Sequence, residues 1–113
     1  MASDLSIHNR LWIMKDGRSY LGEGRIALLK AIAEHGSMSA AARSMKMSYK
    51  KAWESIDAMN SLSNEPLVTR TTGGSGGGGT VVTDAGHEAI GLFERIQSNC
   101  RDFLHAEIEN SDL

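Results

Sequence analysis

Residues 36–60 read GSMSAAARSMKMSYKKAWESIDAMN, and this stretch leaves few folds open. Ala40, Ala41 and Ala42 carry almost no side-chain bulk, so a second helix can cross closely over a helix built on them. Met38, Ala41, Ala42 and Met45 recur at three- and four-residue spacing, which gives that helix one buried face. Ser37 stands just ahead of the run, where a hydroxyl caps free backbone N–H groups. The pattern breaks at Lys46-Met47-Ser48. Ser48 is placed to cap a second helix over residues 49–61, with Ala52, Ile56 and Met59 on its inner face. Two short helices crossing through small residues describe a helix-turn-helix, whose second helix enters the major groove and reaches base edges with its first residues.

Charge within the stretch fits that role. Arg43, Lys46, Lys50 and Lys51 lie between positions 43 and 51 with no carboxylate among them. The whole chain has 113 residues and a formal net charge of −2, which by itself argues against nucleic acid. The distribution decides otherwise. Residues 1–83 hold ten Lys/Arg against seven Asp/Glu, whereas residues 84–113 hold two against seven. Screening over about 8 Å at physiological salt lets a local basic face work on an acidic protein.

The flanking segments complete a domain. Leu5, Ile7, Leu11 and Ile13 alternate as in a strand, and Asp16-Gly17 suits a two-residue hairpin turn. Ser19-Tyr20-Leu21 is the returning strand, with Trp12 and Tyr20 expected to pack across the ribbon. Residues 24–35 read as a helix, with Ile26, Leu29, Ile32 and Ala33 at helical spacing and Gly36 where a left-handed residue ends it. Leu67-Val68-Thr69-Arg70 and Thr80-Val81-Val82 suit two short strands. Between them lie Thr71, Thr72, Gly73, Gly74, Ser75, Gly76, Gly77, Gly78 and Gly79. Such a hairpin with a glycine-rich tip is a wing, whose backbone N–H groups can approach phosphates closely. A phosphate loop would need Gly-Lys-Ser/Thr and a helix at the last glycine, and neither is present. A plain linker is the other reading of this run.

Thr83 is placed to cap a final helix over residues 84–109. Ala89, Phe93, Ile96, Cys100 and Phe103 step along one stripe, widened by Leu92, Leu104 and Ile108. A helix of about 25 residues is roughly 38 Å long, more than one small domain can cover. The stripe is therefore expected to form a dimer interface with a second copy, the alternative being a helix folded back along its own domain.

At this point the residues resemble a family. Residues 36–60, Pro66-Leu67-Val68, the glycines from Thr72-Gly73-Gly74 to Gly79, Val82-Thr83 and Gly86 resemble the DNA-binding domain of ModE-type regulators. Ser48-Tyr49-Lys50, Ala52-Trp53 and Met59-Asn60 look like that family's recognition helix. The wider resemblance, over about residues 11–100, is to the winged helix of LysR-type regulators, where the small-residue first helix and the Pro-Leu-x-x-Arg segment recur. It implies a mainly α fold with small β-hairpins: an arm over residues 1–22, a winged helix-turn-helix over 23–83 and a C-terminal dimerisation helix over 84–113. Full ModE regulators carry molybdate-binding domains after this module. The sequence here ends at Leu113, so a stand-alone regulator is expected, with the effector open and molybdate sensing not carried over.

The expected mechanism is a cytoplasmic, nucleoid-associated dimer on double-stranded DNA. Ser48, Tyr49, Lys50, Trp53 and Glu54 are the candidates for reading bases. Ser37, Arg43, Lys46, Lys51 and Arg70 are the candidates for phosphates, and the wing tip lies along the backbone. Trp53 serves the core equally well, and Lys50 and Glu54 also fit a solvated i,i+4 pair. The rival is an interaction module that keeps the fold without binding DNA. No nucleophile has a matching base, so an enzyme is not expected. His8, His35, His87 and His105 share no ligand spacing with Cys100, so neither metal nor cofactor is expected. No signal peptide or apolar span is evident.

Overall fold

Three of the helices start on a hydroxyl cap, and the first ends on a left-handed glycine. The computed structural model describes residues 4–71 and 79–113. Helix α1 (Glu23–His35) stops at Gly36, which takes φ 67 and donates its N–H to the Ile32 carbonyl at 2.8 Å. Helix α2 (Met38–Ser44) is capped by Ser37, whose hydroxyl accepts from the Ala40 N–H at 3.2 Å. Helix α3 (Tyr49–Leu62) is capped by Ser48, accepting from the Lys51 N–H at 3.0 Å. Helix α4 (Asp84–Glu109) is capped by Thr83, accepting from the Gly86 N–H at 3.1 Å.

Two antiparallel hairpins flank these helices. Strands β1 (Trp12–Lys15) and β2 (Arg18–Gly22) turn at Asp16 and Gly17, which take φ 51 and 75, the positive pair that a type I′ turn requires. The register runs Trp12↔Gly22, Ile13↔Leu21, Met14↔Ser19, so Tyr20 is a bulged residue. The expected Trp12–Tyr20 pair is therefore absent. Trp12 faces Gly22 and is 56% exposed, while the Tyr20 hydroxyl meets the Ser63 hydroxyl at 2.7 Å. The alternation of Leu5 and Ile7 also forms no strand: the ribbon begins at Trp12, opposite the end of β2 at Gly22. The second hairpin joins β3 (Val68–Arg70) to β4 (Thr80–Val82), with Val68 opposite Val82.

One core binds these parts. Leu28, Leu29 and Ile32 of α1, Ala41 of α2, Ala52, Ile56 and Met59 of α3 and Phe93 of α4 are almost fully buried in it. Leu21, Leu67, Val68 and Val82 bring both hairpins into the same cluster. Helix α1 turns more of itself inward than expected: Leu28 and Ala31 are buried, whereas Ala33 faces solvent. The first turn of α4 presses on the wing root. A Cβ at Gly86 would overlap the Leu67 carbonyl oxygen and come within 2.6 Å of Val82 Cγ1, so only glycine permits this approach.

Past Phe93, α4 adds no buried residue, though Glu94 meets Lys30 and Gln97 meets Glu23 of α1, each at 2.7 Å. Its 26 residues extend about 39 Å, and the molecule measures 62 × 29 × 22 Å. Ala89 and Phe93 of the expected dimer stripe are consumed by the chain's own core. Leu92, Ile96 and Phe103 stay exposed on the adjoining face, and Cys100 is half-buried with Asn9 Nδ2 at 3.8 Å from its sulfur. Among the described residues, no helix is long and apolar enough to cross a membrane.

Candidate nucleic-acid interface

The α2–α3 turn is a Schellman closure. The Met47 N–H donates to the Ala42 carbonyl at 3.0 Å and the Lys46 N–H to the Arg43 carbonyl at 3.1 Å. That closure puts its C′ residue in the left-handed region, and Lys46 takes φ 55 there. The turn thereby throws the Lys46 side chain outward beside Arg43 and the start of α3, all of them exposed. Among the described residues no carboxylate pairs with Arg43, Lys46, Lys51 or Arg70. These four cations are free to meet phosphates.

Helix α3 buries Ala52, Ile56 and Met59, so the opposite face looks out. Tyr49 is half-exposed, and Lys50 and Lys51 are exposed in the first turn. Lys50 Nζ lies 3.9 Å from Glu54 Oε1, both well solvated. An exposed i,i+4 pair at that distance contributes a few tenths of a kcal/mol and opens readily to another acceptor. Ser48 and Ser37 use a hydroxyl lone pair for capping, which leaves each O–H free to donate.

Trp53 departs from expectation. Its Nε1 is shielded from solvent, with no acceptor among the described residues, so it does not present a donor to a base edge. Its ring carries two neighbours instead: Tyr49 edge-on, with centroids 6.4 Å apart, and the Arg70 guanidinium, 3.9 Å from the centroid. The structure thus joins Tyr49, Trp53 and Arg70 from two elements into one cluster. The wing residues Thr72, Gly73, Gly74, Ser75, Gly76, Gly77 and Gly78 lie outside the described residues. Gly79 is described, and its N–H donates to Thr71 Oγ1 at 2.8 Å while its carbonyl accepts from the Thr71 N–H at 2.9 Å.

A residue given no physical role in the sequence reading ties these parts together. Asn60 Nδ2 donates to the Val68 carbonyl at 3.1 Å, and Asn60 Oδ1 accepts from the Leu67 N–H at 2.8 Å. The last turn of α3 thereby holds the root of the wing. The Thr80 N–H donates to the Gly36 carbonyl at 3.1 Å, which fixes β4 to the α1–α2 corner. An asparagine at a helix end followed by Pro-Leu-Val is the signal that could have located this bracket.

Comparison with known proteins places the chain among its relatives. Residues 24–87 match the model of the bacterial regulatory helix-turn-helix proteins of the lysR family. The chain is 42% identical over 88 residues to the molybdenum transport protein ModE of Azotobacter vinelandii, covering 78% of this chain and 33% of that protein. It is 45% identical over 84 residues to the molybdenum-pterin-binding protein MopB of Rhodobacter capsulatus, covering 74% and 31%. It is 48% identical over 83 residues to the DNA-binding transcriptional dual regulator ModE of Escherichia coli K12, covering 71% and 32%. The chain spans about a third of the length of these curated relatives.

Proposed function

This chain belongs to the lysR family of bacterial regulatory helix-turn-helix proteins, and from that premise we propose that it binds double-stranded DNA sequence-specifically as a dimer and regulates transcription. The observation that carries this reading is the exposed first turn of α3, with Tyr49, Lys50 and Lys51 facing out beside Arg43 and Lys46. Lys50 leaves Glu54 for a base edge, where lysine meets guanine O6 or N7. Arg43, Lys46 and Lys51 hold phosphates and set the register. The dimer forms through the exposed stripe Leu92, Ile96 and Phe103, beyond the part of α4 that the core uses. Two copies repeat the reading head about 34 Å apart, so the operator is near-palindromic. Among the described residues no group of three or more His, Cys, Asp or Glu gathers to hold a metal ion.

Selection of bound duplexes from genomic fragments, followed by salt titration on the best one, tests the reading. Lys50→Ala is expected to weaken that duplex by about 1–3 kcal/mol and to relax specificity at one base pair. Arg43→Ala is expected to weaken all duplexes alike and to lower the salt slope by about one. A protein that enriches no duplex would instead be an interaction module on the same fold.

A further inference from the structure

We propose that Trp53 is a platform that holds the Arg70 guanidinium flat, so that Arg70 grips one backbone phosphate with two N–H donors at the root of the wing. The inference rests on the DNA-binding reading and deepens it. Trp53 comes from α3 and Arg70 from the end of β3. The 3.9 Å from Arg70 Cζ to the ring centroid is well inside the range of a cation–π contact, for which tryptophan is the strongest partner. A guanidinium held flat on the ring meets it with its face alone. Its N–H donors lie in the plane and stay available, in the fork that matches a phosphate.

Two further observations support a platform rather than a packing accident. Arg70 is exposed and has no carboxylate partner among the described residues, so neither burial nor an ion pair holds it there. Trp53 keeps its Nε1 shielded without an acceptor, a cost that a phenylalanine would avoid. Among the described residues the indole's polar atom has no hydrogen-bond partner, and its face meets a cation. The contact also spans the reading helix and the wing. Asn60 fixes the backbone of the same junction through Leu67 and Val68. Arg70 follows two residues after Val68, and its side chain is held in turn by the helix.

The test uses the full chain and its best-bound duplex, across a salt series. Arg70→Lys keeps the charge but cannot stack flat or fork. Affinity is expected to fall about tenfold. Trp53→Leu leaves the charge untouched and is expected to lose about as much, whereas Trp53→Phe, which keeps an aromatic face, stays within about threefold of the parent. In the Trp53→Leu background, Arg70→Lys is expected to cost little more. Arg70→Lys binding like the parent would overturn the proposal, and so would equal losses in Trp53→Leu and Trp53→Phe. Arg70 is exposed, so its variants remain readable if Trp53→Leu does not fold. A denaturation cycle on Arg70→Ala, Trp53→Leu and the pair reads the stack without DNA. Additive losses there remove the platform whatever the duplex result. Non-additive losses in a protein that enriches no duplex leave the stack standing but remove the phosphate grip and the DNA-binding reading together.

Discussion

Lys46 is the residue at which folding and binding pull apart. At φ 55 a side chain with a Cβ is strained by about 1 kcal/mol relative to glycine. Lys46→Gly is therefore expected to raise stability by up to about 1 kcal/mol in urea denaturation. The same change removes a cation beside the reading helix, and the salt slope of DNA binding should fall by about one. A gain in stability without a loss in slope would assign Lys46 to the turn alone. Gly86 is the opposite case, because its missing Cβ is what lets α4 reach the wing. Gly86→Ala pushes against the Leu67 carbonyl and Val82, both of which belong to the wing root. A loss of about 1–3 kcal/mol is expected in thermal or chemical denaturation.

At the scale of elements, the wing is attached at its root by few groups. Asn60→Ala strips partners from the Leu67 N–H and the Val68 carbonyl at once. Leaving such groups unpaired costs about 1–3 kcal/mol. Faster amide exchange at Leu67, with α1 and α2 unchanged, would show that the loss is local. The helices were legible in the sequence because their ends are written in side chains. Ser37, Ser48 and Thr83 each cap the helix that follows, and Gly36 closes α1. What was not legible needed a partner the sequence does not name. Leu5 and Ile7 alternate like a strand but lie ahead of the first strand, which begins at Trp12. The bulge at Tyr20 moves Trp12 away from it by one register step. Helical spacing put Ala89, Phe93, Ile96 and Phe103 on one stripe, yet periodicity cannot tell a chain's own core from that of a second copy. Trp53 was equally ambiguous from spacing. Only Arg70, seventeen positions on, shows which way its face is used.

At the scale of the molecule, the radius of gyration is 17.4 Å, against about 13 Å for a compact chain of this length. The excess comes from α4, which carries Ile96 and Phe103 beyond the buried core. Phe103→Asp is expected to leave the fold within about 0.5 kcal/mol of the parent and to turn a dimer into a monomer in sedimentation. Affinity for a two-half-site duplex should then drop toward that for a single half-site. An unchanged sedimentation coefficient would send the search for the dimer contact elsewhere on the surface. The projecting helix belongs to the segment with seven acidic and two basic residues, while the rest of the chain has a cationic surplus. Positive and negative ends of an elongated body make it a compass needle in the field of a polyanion. In the proposed encounter with DNA, approach by the acidic helix is repelled and approach by the basic face is drawn in, so the orientation is sorted before any base is touched.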